Sequence, residues 1–443
     1  MKINHIEVSN FRKYKAARFS FHPEFTVLIG NNASGKTTIL DAIALLLNTY
    51  FQGSGLTTGG GTLKKDDARY IHTRKEEQDF LEPQSPVWLK GVAALAGETC
   101  EWVREMGDRG GKAKAFTAYG ALEREGVAKG QSPSLPMLLY YGAGRLWDLH
   151  RDNKMDTTGS QLGAYRYCLD PKSDQYSFIK WFIKLTMTEL QRKTPVPALR
   201  AVERAVLQCA PGAKSFYYDV GSETILIELK KEGLVRFSDL SDGYRNMVAM
   251  IADIAHRCAR LNPQMGENVT FETKGIILID ELDLHLHPKW QRRVVPDLRK
   301  TFPNIQFITT SHSPFIIQSM NPGEIIDLDN ILADEQPQSV PEGIASPAPS
   351  MSFSAKSIED IVENVMDVPL PQRSQRYQEM HDVAVKYYQL LEQGQNAEGA
   401  EVLRLKDELD ALSAPFSDNV AYHAFLEMER AAAGLGRSRG EDE

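Results

Sequence analysis

The 443-residue sequence predicts an α/β fold, a mixed sheet flanked by helices, with a helical insertion and a helical C-terminal extension. Three observations carry that prediction. Short, continuous apolar runs at 26–29, 137–141, 276–279 and 305–309 suit strands covered on both faces. The first of these stops abruptly at Gly30 and gives way to a helical pattern. The periodicity then becomes wholly helical twice, from Gln161 to about Cys209 and again beyond Ser357.

Taken in chain order, Ile3, Val8 and Phe11, then Phe19, Phe21 and Phe25, alternate as in a half-buried sheet and predict two opening strands. A helix is predicted from about Lys36 to Thr49, then a loop at 53–62, where five glycines gather. Val87–Glu105 and Ala113–Glu123 read as strands and turns, and Met137–Tyr141 as a strand leading into Gly142-Ala143-Gly144-Arg145. In the first helical stretch Phe178, Trp181, Phe182, Leu185 and Leu190 keep to one face, and a second helix follows Pro195-Val196-Pro197. Strands return at 215–218 and 224–229, followed by a helix at 243–261. Pro, Ser, Gln and Ala crowd 334–357, which reads as a linker. In the tail, one apolar stripe runs through Tyr377, Met380, Val383, Tyr387 and Leu391, and another through Val402, Leu405, Leu409 and Leu412. The 3, 4, 3 spacing of the second stripe fits a helix pair, packed on the domain or presented to a partner. These patterns divide the chain at 1–160, 161–212 (helical insertion), 213–333, 334–357 (linker) and 358–443 (helical region).

Composition narrows the function. With 42% hydrophobic and 25% charged residues the chain is neither disordered nor fibrous. Of the net charge of −8, residues 351–443 carry −9, so the rest is close to neutral. An acidic tail on a neutral body argues against coating nucleic acid by charge alone, although a local basic groove stays open. Four scattered cysteines without a CxxC spacing point to reduced thiols rather than a disulfide framework or zinc cage. The N-terminal stretch lacks a signal-peptide core and no apolar run has membrane-spanning length, so the expectation is a cytoplasmic protein without membrane contact.

The chemistry begins at Gly30-Asn31-Asn32-Ala33-Ser34-Gly35-Lys36-Thr37, which fits G-x-x-x-x-G-K-[ST] between a strand and a helix. Glycines let backbone N–H groups turn toward phosphate, and the helix N-terminus adds partial positive charge. Residues 31–38, from Asn31 through Thr38, are therefore expected around a triphosphate, with Lys36 as the point charge for the β/γ oxygens and Thr37 as a Mg²⁺ ligand. The matching acid should end an apolar strand. Ile276-Ile277-Leu278-Ile279-Asp280-Glu281 supplies it: Asp280 for the Mg²⁺ shell, Glu281 to polarise a water for in-line attack. The implied cofactors are ATP and Mg²⁺, and hydrolysis as well as binding. Arg145 reads as a structural ion pair rather than a phosphate contact.

Two further signals specify the kind of nucleotide enzyme. Leu240-Ser241-Asp242-Gly243-Tyr244-Arg245 precedes the 243–261 helix, and Ile308-Thr309-Thr310-Ser311-His312-Ser313-Pro314 puts a histidine at the end of the next strand. A Ser-Asp-Gly turn before a helix is also an ordinary cap, but its place between the phosphate loop and the acidic strand favours function. In this order the four motifs resemble those of ABC-type ATPase heads of the SMC/RecF group. The opening Ile6-Glu7-Val8-Ser9-Asn10-Phe11-Arg12 is similar to that group's first strand, which implies that Arg12 or Lys13 lies near the nucleotide. The resemblance also implies a catalytic role for His312 on the γ-phosphate and attacking water. It implies head-to-head dimers as well, in which Ser241 and Gly243 of one copy close over ATP held by Lys36 of the other. Gln84 is the candidate for the group's glutamine loop.

Spacing rejects some members of that group. About 205 residues separate Gly35 from Leu240, more than in transporter subunits, and they lack the heptads of a true SMC arm. About 110 mostly helical residues follow the head, with no Toprim or compact His-Asn-His pattern; Asp327-Leu328-Asp329 and Asp407-Glu408-Leu409-Asp410 are acidic but lack a βαβ context. Tyr140-Tyr141-Gly142-Ala143-Gly144-Arg145-Leu146-Trp147, Leu169-Asp170-Pro171, Ser357-Ile358-Glu359-Asp360-Ile361 and Pro371-Gln372-Arg373-Ser374 complete a resemblance to the standalone ATPases of bacterial anti-phage systems, the PtuA family of Septu and its retron relatives. This implies a regulatory ATPase, at least dimeric, controlling a separately encoded effector, an HNH nuclease, with DNA reached through the complex. The ATPases of PARIS-type systems, with a different effector, and a RecF-like DNA clamp in repair stay open as alternatives.

Overall fold

A computed structural model describes residues 1–75, 78–95, 97–107, 113–145, 160–172, 175–329, 353, 356–366, 375–392 and 400–413. The chain forms two compact units, residues 1–358 and 359–443. At the centre of the first lies a five-stranded sheet built from β3 (Phe25–Ile29), β8 (Met137–Tyr141), β12 (Gly275–Ile279), β13 (Ile305–Thr310) and β14 (Ile325–Asp327). Its order is β14-β3-β13-β12-β8 and every pair is parallel. Every residue of β3, β8, β12 and β13 is buried, as the apolar runs require of strands covered on both faces.

A second, antiparallel sheet has the order β2-β1-β6-β7, from β1 (Lys2–Phe11), β2 (Tyr14–Ser20), β6 (Trp88–Leu95) and β7 (Glu98–Glu105). A third joins β9 (Ala213–Asp219), β10 (Thr224–Leu229) and β11 (Gly233–Arg236). Helix α1 (Lys36–Leu47) leaves β3 through the glycine-rich loop. The expectation of strands and turns at Ala113–Glu123 is overturned, since the segment lies in helix α2 (Lys114–Ala128). What alternates in the sequence is buried at Ala113, Phe116 and Gly120, a helical spacing. Phe116 stacks on Trp102 of β7 at 3.9 Å, and the Tyr50 carbonyl would lie 2.2 Å from a Cβ at position 120. Packing against these two surfaces selects the helix.

Helices α3 (Gln175–Arg192) and α4 (Pro197–Cys209) follow the predicted helical stretch. Pro197 opens α4, where its missing N–H costs no hydrogen bond. Both helices belong to the first unit: Phe178 and Trp181 pack on His256, and Phe182 on Phe216 of β9. His256 lies on α5 (Asp242–Leu261), which is buried over most of its circumference, as expected of a central helix. The short α6 (Val269–Glu272), then α7 (Pro288–Thr301) and α8 (Pro314–Gln318), complete the connections. Nothing in the sequence reading anticipated the ribbon β4 (Tyr70–Lys75) and β5 (Gln78–Pro83). Its Tyr70, Ile71, Phe80 and Leu81 are exposed, so neither face is buried and no in/out alternation marks it in the sequence.

In the second unit and at its start, the described residues form α9 (Ile358–Asn364), α10 (Gln375–Glu392) and α11 (Ala400–Ser413). The two predicted apolar stripes meet each other: Met380, Ala384 and Tyr387 form one small core with Val402 and Leu409. The linker reading of 334–357 falls almost wholly outside the described residues, as do Leu146-Trp147 and Pro371-Gln372-Arg373-Ser374. All four cysteines are free, and burial pushes the thiols of Cys168, Cys209 and Cys258 up to about 12, which leaves them poor nucleophiles. Among the described residues no helix is long and apolar enough to cross a membrane.

Candidate functional site

Parallel strands deliver their carboxyl ends to one edge of the sheet, where such folds place their ligand sites. Here the register is tight: Leu28 pairs with Thr310, Ile279 with both Thr309 and Tyr141, and Asp327 with Ile29. The segments starting at Gly30, Gly142, Asp280, Ser311 and Leu328 therefore all leave the same edge. Residues far apart in sequence meet there because the strands before them are paired, not because of any local signal.

The phosphate loop occupies the turn from β3 into α1. The first turn of α1 holds no acidic residue and no side chain caps it, so its amides and partial charge remain available to an anion. Gly35 has φ 96°, and a Cβ there would lie 2.6 Å from Tyr14 Oη and from Lys13 Cδ, so both the conformation and the space require glycine. The β1–β2 turn braces the loop: Lys13 Nζ donates to the Ala33 carbonyl at 2.8 Å and Tyr14 Oη to the Ser34 carbonyl at 3.1 Å. Lys36 is buried and its ammonium donates to the Gly30 and Asn31 carbonyls at 2.8 and 2.9 Å. Burial lowers its pKa, while Asp329, Asp280 and Glu281 act in the opposite sense. Ser34 Oγ is buried with no hydrogen-bond partner, a polar atom turned into the loop. Asn31, Asn32, Ala33 and Thr37 are exposed and Thr38 is half-buried.

The acidic end closes on this loop. Thr37 Oγ1 donates to Asp280 Oδ2 at 2.9 Å, and Thr310 Oγ1 donates to Asp280 Oδ1 at 2.6 Å. The same Thr310 hydroxyl accepts the Glu281 N–H at 2.7 Å. One side chain of β13 thus fixes both the carboxylate ending β12 and the backbone that aims Glu281. Glu281 has φ 51°, a left-handed conformation that costs a non-glycine residue about 1–3 kcal/mol and is held only by its surroundings. Part of that restraint is Arg145. Its guanidinium is buried and donates to the Asp280 and Glu281 carbonyls at 2.7 and 2.9 Å. The ion-pair expectation is corrected accordingly: the partners of Arg145 are main-chain carbonyls, and burial lowers its pKa to about 10. A hydroxyl and a carboxylate joined by one hydrogen bond are the hard oxygen donors a Mg²⁺ ion takes, so Thr37 and Asp280 fit that metal. Among the described residues no cluster of three or more His, Cys, Asp or Glu side chains is placed to hold another metal.

His312 is exposed just past the end of β13, and its N–H donates to Asp283 Oδ1 at 3.3 Å. Arg12 and Lys13 divide the expectation placed on them. Lys13 reaches the loop, whereas Arg12 is held by Asp41 at 2.5 Å and by Asp67 at 3.1 Å. Asp41 also accepts from Tyr140 Oη at 2.9 Å, so Arg12 braces α1 rather than the phosphate loop itself. Burial works against the charge on Arg12, but the two carboxylates outweigh it and raise its pKa. Gln84 follows the ribbon, and its side-chain amide donates to the Glu82 carbonyl at 3.2 Å.

Ser241 occupies the cap position of α5, yet its hydroxyl makes no capping bond, and both Ser241 and Asp242 are exposed. Gly243 is buried, and a Cβ there would lie 2.0 Å from the His285 carbonyl. Further along α5, Asp253 accepts from Tyr141 Oη at 2.8 Å and from Arg257 Nε at 3.0 Å. Burial alone would raise the Asp253 pKa, but the Arg257 charge and the bonds from His256 and Tyr141 hold it at about 2. His256 is itself pushed down to about 4 by burial and is neutral near pH 7, so the charge balance rests on Arg257. Because Tyr141 O accepts the Asp280 N–H at 2.8 Å, the same tyrosine ties α5 to the acidic strand end.

Sequence reasoning missed Thr310, Arg145 in its bracing role, Tyr141 and Asp329. Thr310 carried one signal, a hydroxyl ending a strand directly before Ser311-His312. Asp329 carried none: its Oδ2 accepts the Asn31 N–H at 2.6 Å across 298 residues of sequence.

Comparisons with known proteins give the chain's relatives. Residues 1–81 match the family described as "AAA ATPase domain", and residues 172–318 the family described as "AAA domain, putative AbiEii toxin, Type IV TA system". The chain is 27% identical over 424 residues to the "Retron Ec83 probable ATPase" of Escherichia coli, a match covering 78% of this chain and 75% of that protein. It is 23% identical over 334 residues to the Septu protein PtuA of Bacillus mycoides strain KBAB4, covering 73% of this chain and 40% of the relative. Its homologues are thus retron ATPases and PtuA proteins of anti-phage defence. Among solved structures, the SMC head domain from Thermotoga maritima aligns at 15% identity with a TM-score of 0.44, covering 74% of this chain and 94% of that one.

Proposed function

We propose that this protein is the regulatory ATPase of a bacterial anti-phage defence complex. The hydrogen-bonded series Thr37–Asp280–Thr310–Glu281 carries this reading, since it sets a hydroxyl and a carboxylate for Mg²⁺ beside a restrained glutamate. Residues 31–38 and the amides opening α1 bind the triphosphate of ATP, and Lys36 leaves the Gly30 and Asn31 carbonyls for the β/γ oxygens. Thr37 and Asp280 would hold Mg²⁺, which would supply positive charge to the phosphates. Glu281 accepts a proton from the attacking water, and exposed His312 steadies the γ-phosphate side. Ser241 and Gly243 complete the site of a second copy, which gives the uncapped hydroxyl of Ser241 a use. Dimer closure and reopening, driven by ATP and its hydrolysis, would then set the activity of a separately encoded effector, for which the sequence resemblance implies an HNH nuclease. The homology spans about three quarters of the chain, which favours defence over a repair clamp.

The test is the Glu281→Gln protein with Mg-ATP. The expected result is intact ATP binding, a dimer on light-scattering chromatography, and turnover lower by about 10²–10⁴-fold. A monomer that hydrolyses ATP at the normal rate would remove both the general base and the closure model. Expression with the native flanking genes should then co-purify the effector in fixed stoichiometry.

A further inference from the structure

Asp329 lies two residues past the end of β14, within the acidic Asp327-Leu328-Asp329 run that the ATP site leaves without a role. Its Oδ2 accepts the Asn31 N–H at 2.6 Å, and its Oδ1 would lie 3.3 Å from a Cβ placed on Gly30. The carboxylate is therefore seated over the first two residues of the phosphate loop. Two further contacts define its place. The Asp329 N–H donates to Asp327 Oδ1 at 3.1 Å, which fixes the turn carrying the carboxylate. On the other side of the same dipeptide, the Lys36 ammonium is bound to the Gly30 and Asn31 carbonyls. An anion already occupies one of the loop's amides, and the loop's lysine already holds the loop's own carbonyls.

We infer that Asp329 is an internal competitor for the phosphate loop, a carboxylate whose charge opposes the polyphosphate of a nucleotide from behind the Gly30–Asn31 peptide. The physical basis is simple. Two anions drawn to one loop repel each other more strongly near a protein surface than in bulk water. Without nucleotide, Asp329 satisfies the amide and shields the loop's cation, so the loop keeps its shape. With nucleotide, the same negative charge stands beside the phosphates and weakens their hold on the loop. Asp329 therefore sets a threshold on nucleotide affinity without touching the reacting atoms.

This inference rests on the reading of residues 30–37 as a nucleotide site, and its test separates the two. Binding of Mg-ATP and Mg-ADP to the full chain is measured by calorimetry for the wild type, Asp329→Ala and Asp329→Asn, with melting curves in the absence of nucleotide. Asp329→Ala should bind nucleotide about tenfold more tightly than the wild type. Asp329→Asn, which keeps an acceptor for the Asn31 amide but loses the charge, should tighten binding by less. Both should melt no higher than the wild type, since Asp329→Ala gives up the Asn31 contact and Asp329→Asn keeps it without the charge. Tightening in either variant supports the competitor. A wild type that binds ATP while both variants bind equally well or more weakly overturns it and makes Asp329 a simple brace. Absence of binding by all three would overturn the nucleotide reading, and the competitor with it. A wild type that fails to bind beside an Asp329→Ala protein that does bind would support both.

Discussion

The phosphate loop and the Ser241 segment carry motifs of similar length, yet the structure treats them in opposite ways. Around the loop, three side chains or amides are already engaged within the chain, Lys36 on carbonyls, Thr37 on Asp280 and Asn31 on Asp329, while Ser34 Oγ and the amides opening α1 stay free. At the N-terminus of α5, Ser241 and Asp242 are exposed and the serine hydroxyl caps nothing. A site built for one chain would turn both halves toward a common centre. The contrast separates a half preorganised within the chain from a segment whose serine hydroxyl is exposed and caps nothing, while Asp242 pairs only with Arg245 of its own helix, at 2.6 Å.

Substitutions can break or sharpen this contrast. The largest effect is expected from Lys36→Ala, which removes the only buried cation bound to the loop carbonyls among the described residues. ATP affinity measured by calorimetry should fall by at least about a hundredfold. Unchanged affinity would mean that the preorganised half is not where nucleotide binds. Ser241→Arg acts on the other half. It should leave ATP affinity within about twofold, because the chain's own loop is intact, while steady-state hydrolysis falls by about tenfold or more as closure is blocked. Equal loss of binding and turnover would place Ser241 within its own chain's site and dissolve the distinction. The smallest effect is expected from Tyr141→Phe, which takes one donor from buried Asp253 and loosens the tie between the two halves. A loss of about 1–2 kcal/mol, read as a lower melting temperature, is the expected outcome. Turnover should fall less than in Ser241→Arg.

How much of this was legible in the sequence follows the same division. The phosphate loop, Asp280-Glu281 and the strand runs could be read because each is contiguous, with its meaning set by a few adjacent residues and the apolar run beside them. The 114–128 helix was misread because its pattern of Ala, Phe and Gly alternates in sequence, and only Trp102 and the Tyr50 carbonyl decide which residues turn inward. The ribbon at 70–83 left no trace, since exposed strands need no apolar face. Arg145 and Asp329 act through partners 135 and 298 residues away, and pairing among parallel strands, not local pattern, brings them there. Sequence located the chemistry; the sheet register decided which neighbours restrain it.

One contact described above has a mechanical meaning. At Gly243 the first turn of α5 rests on the His285 carbonyl with no room for even a methyl group, and His285 lies four residues beyond Glu281. Two bodies in such close contact transmit a push without lost motion. Any displacement of the exposed start of α5 must therefore carry the His285 backbone with it. The missing side chain at residue 243 lets the start of α5 and the segment that follows Glu281 move as one piece.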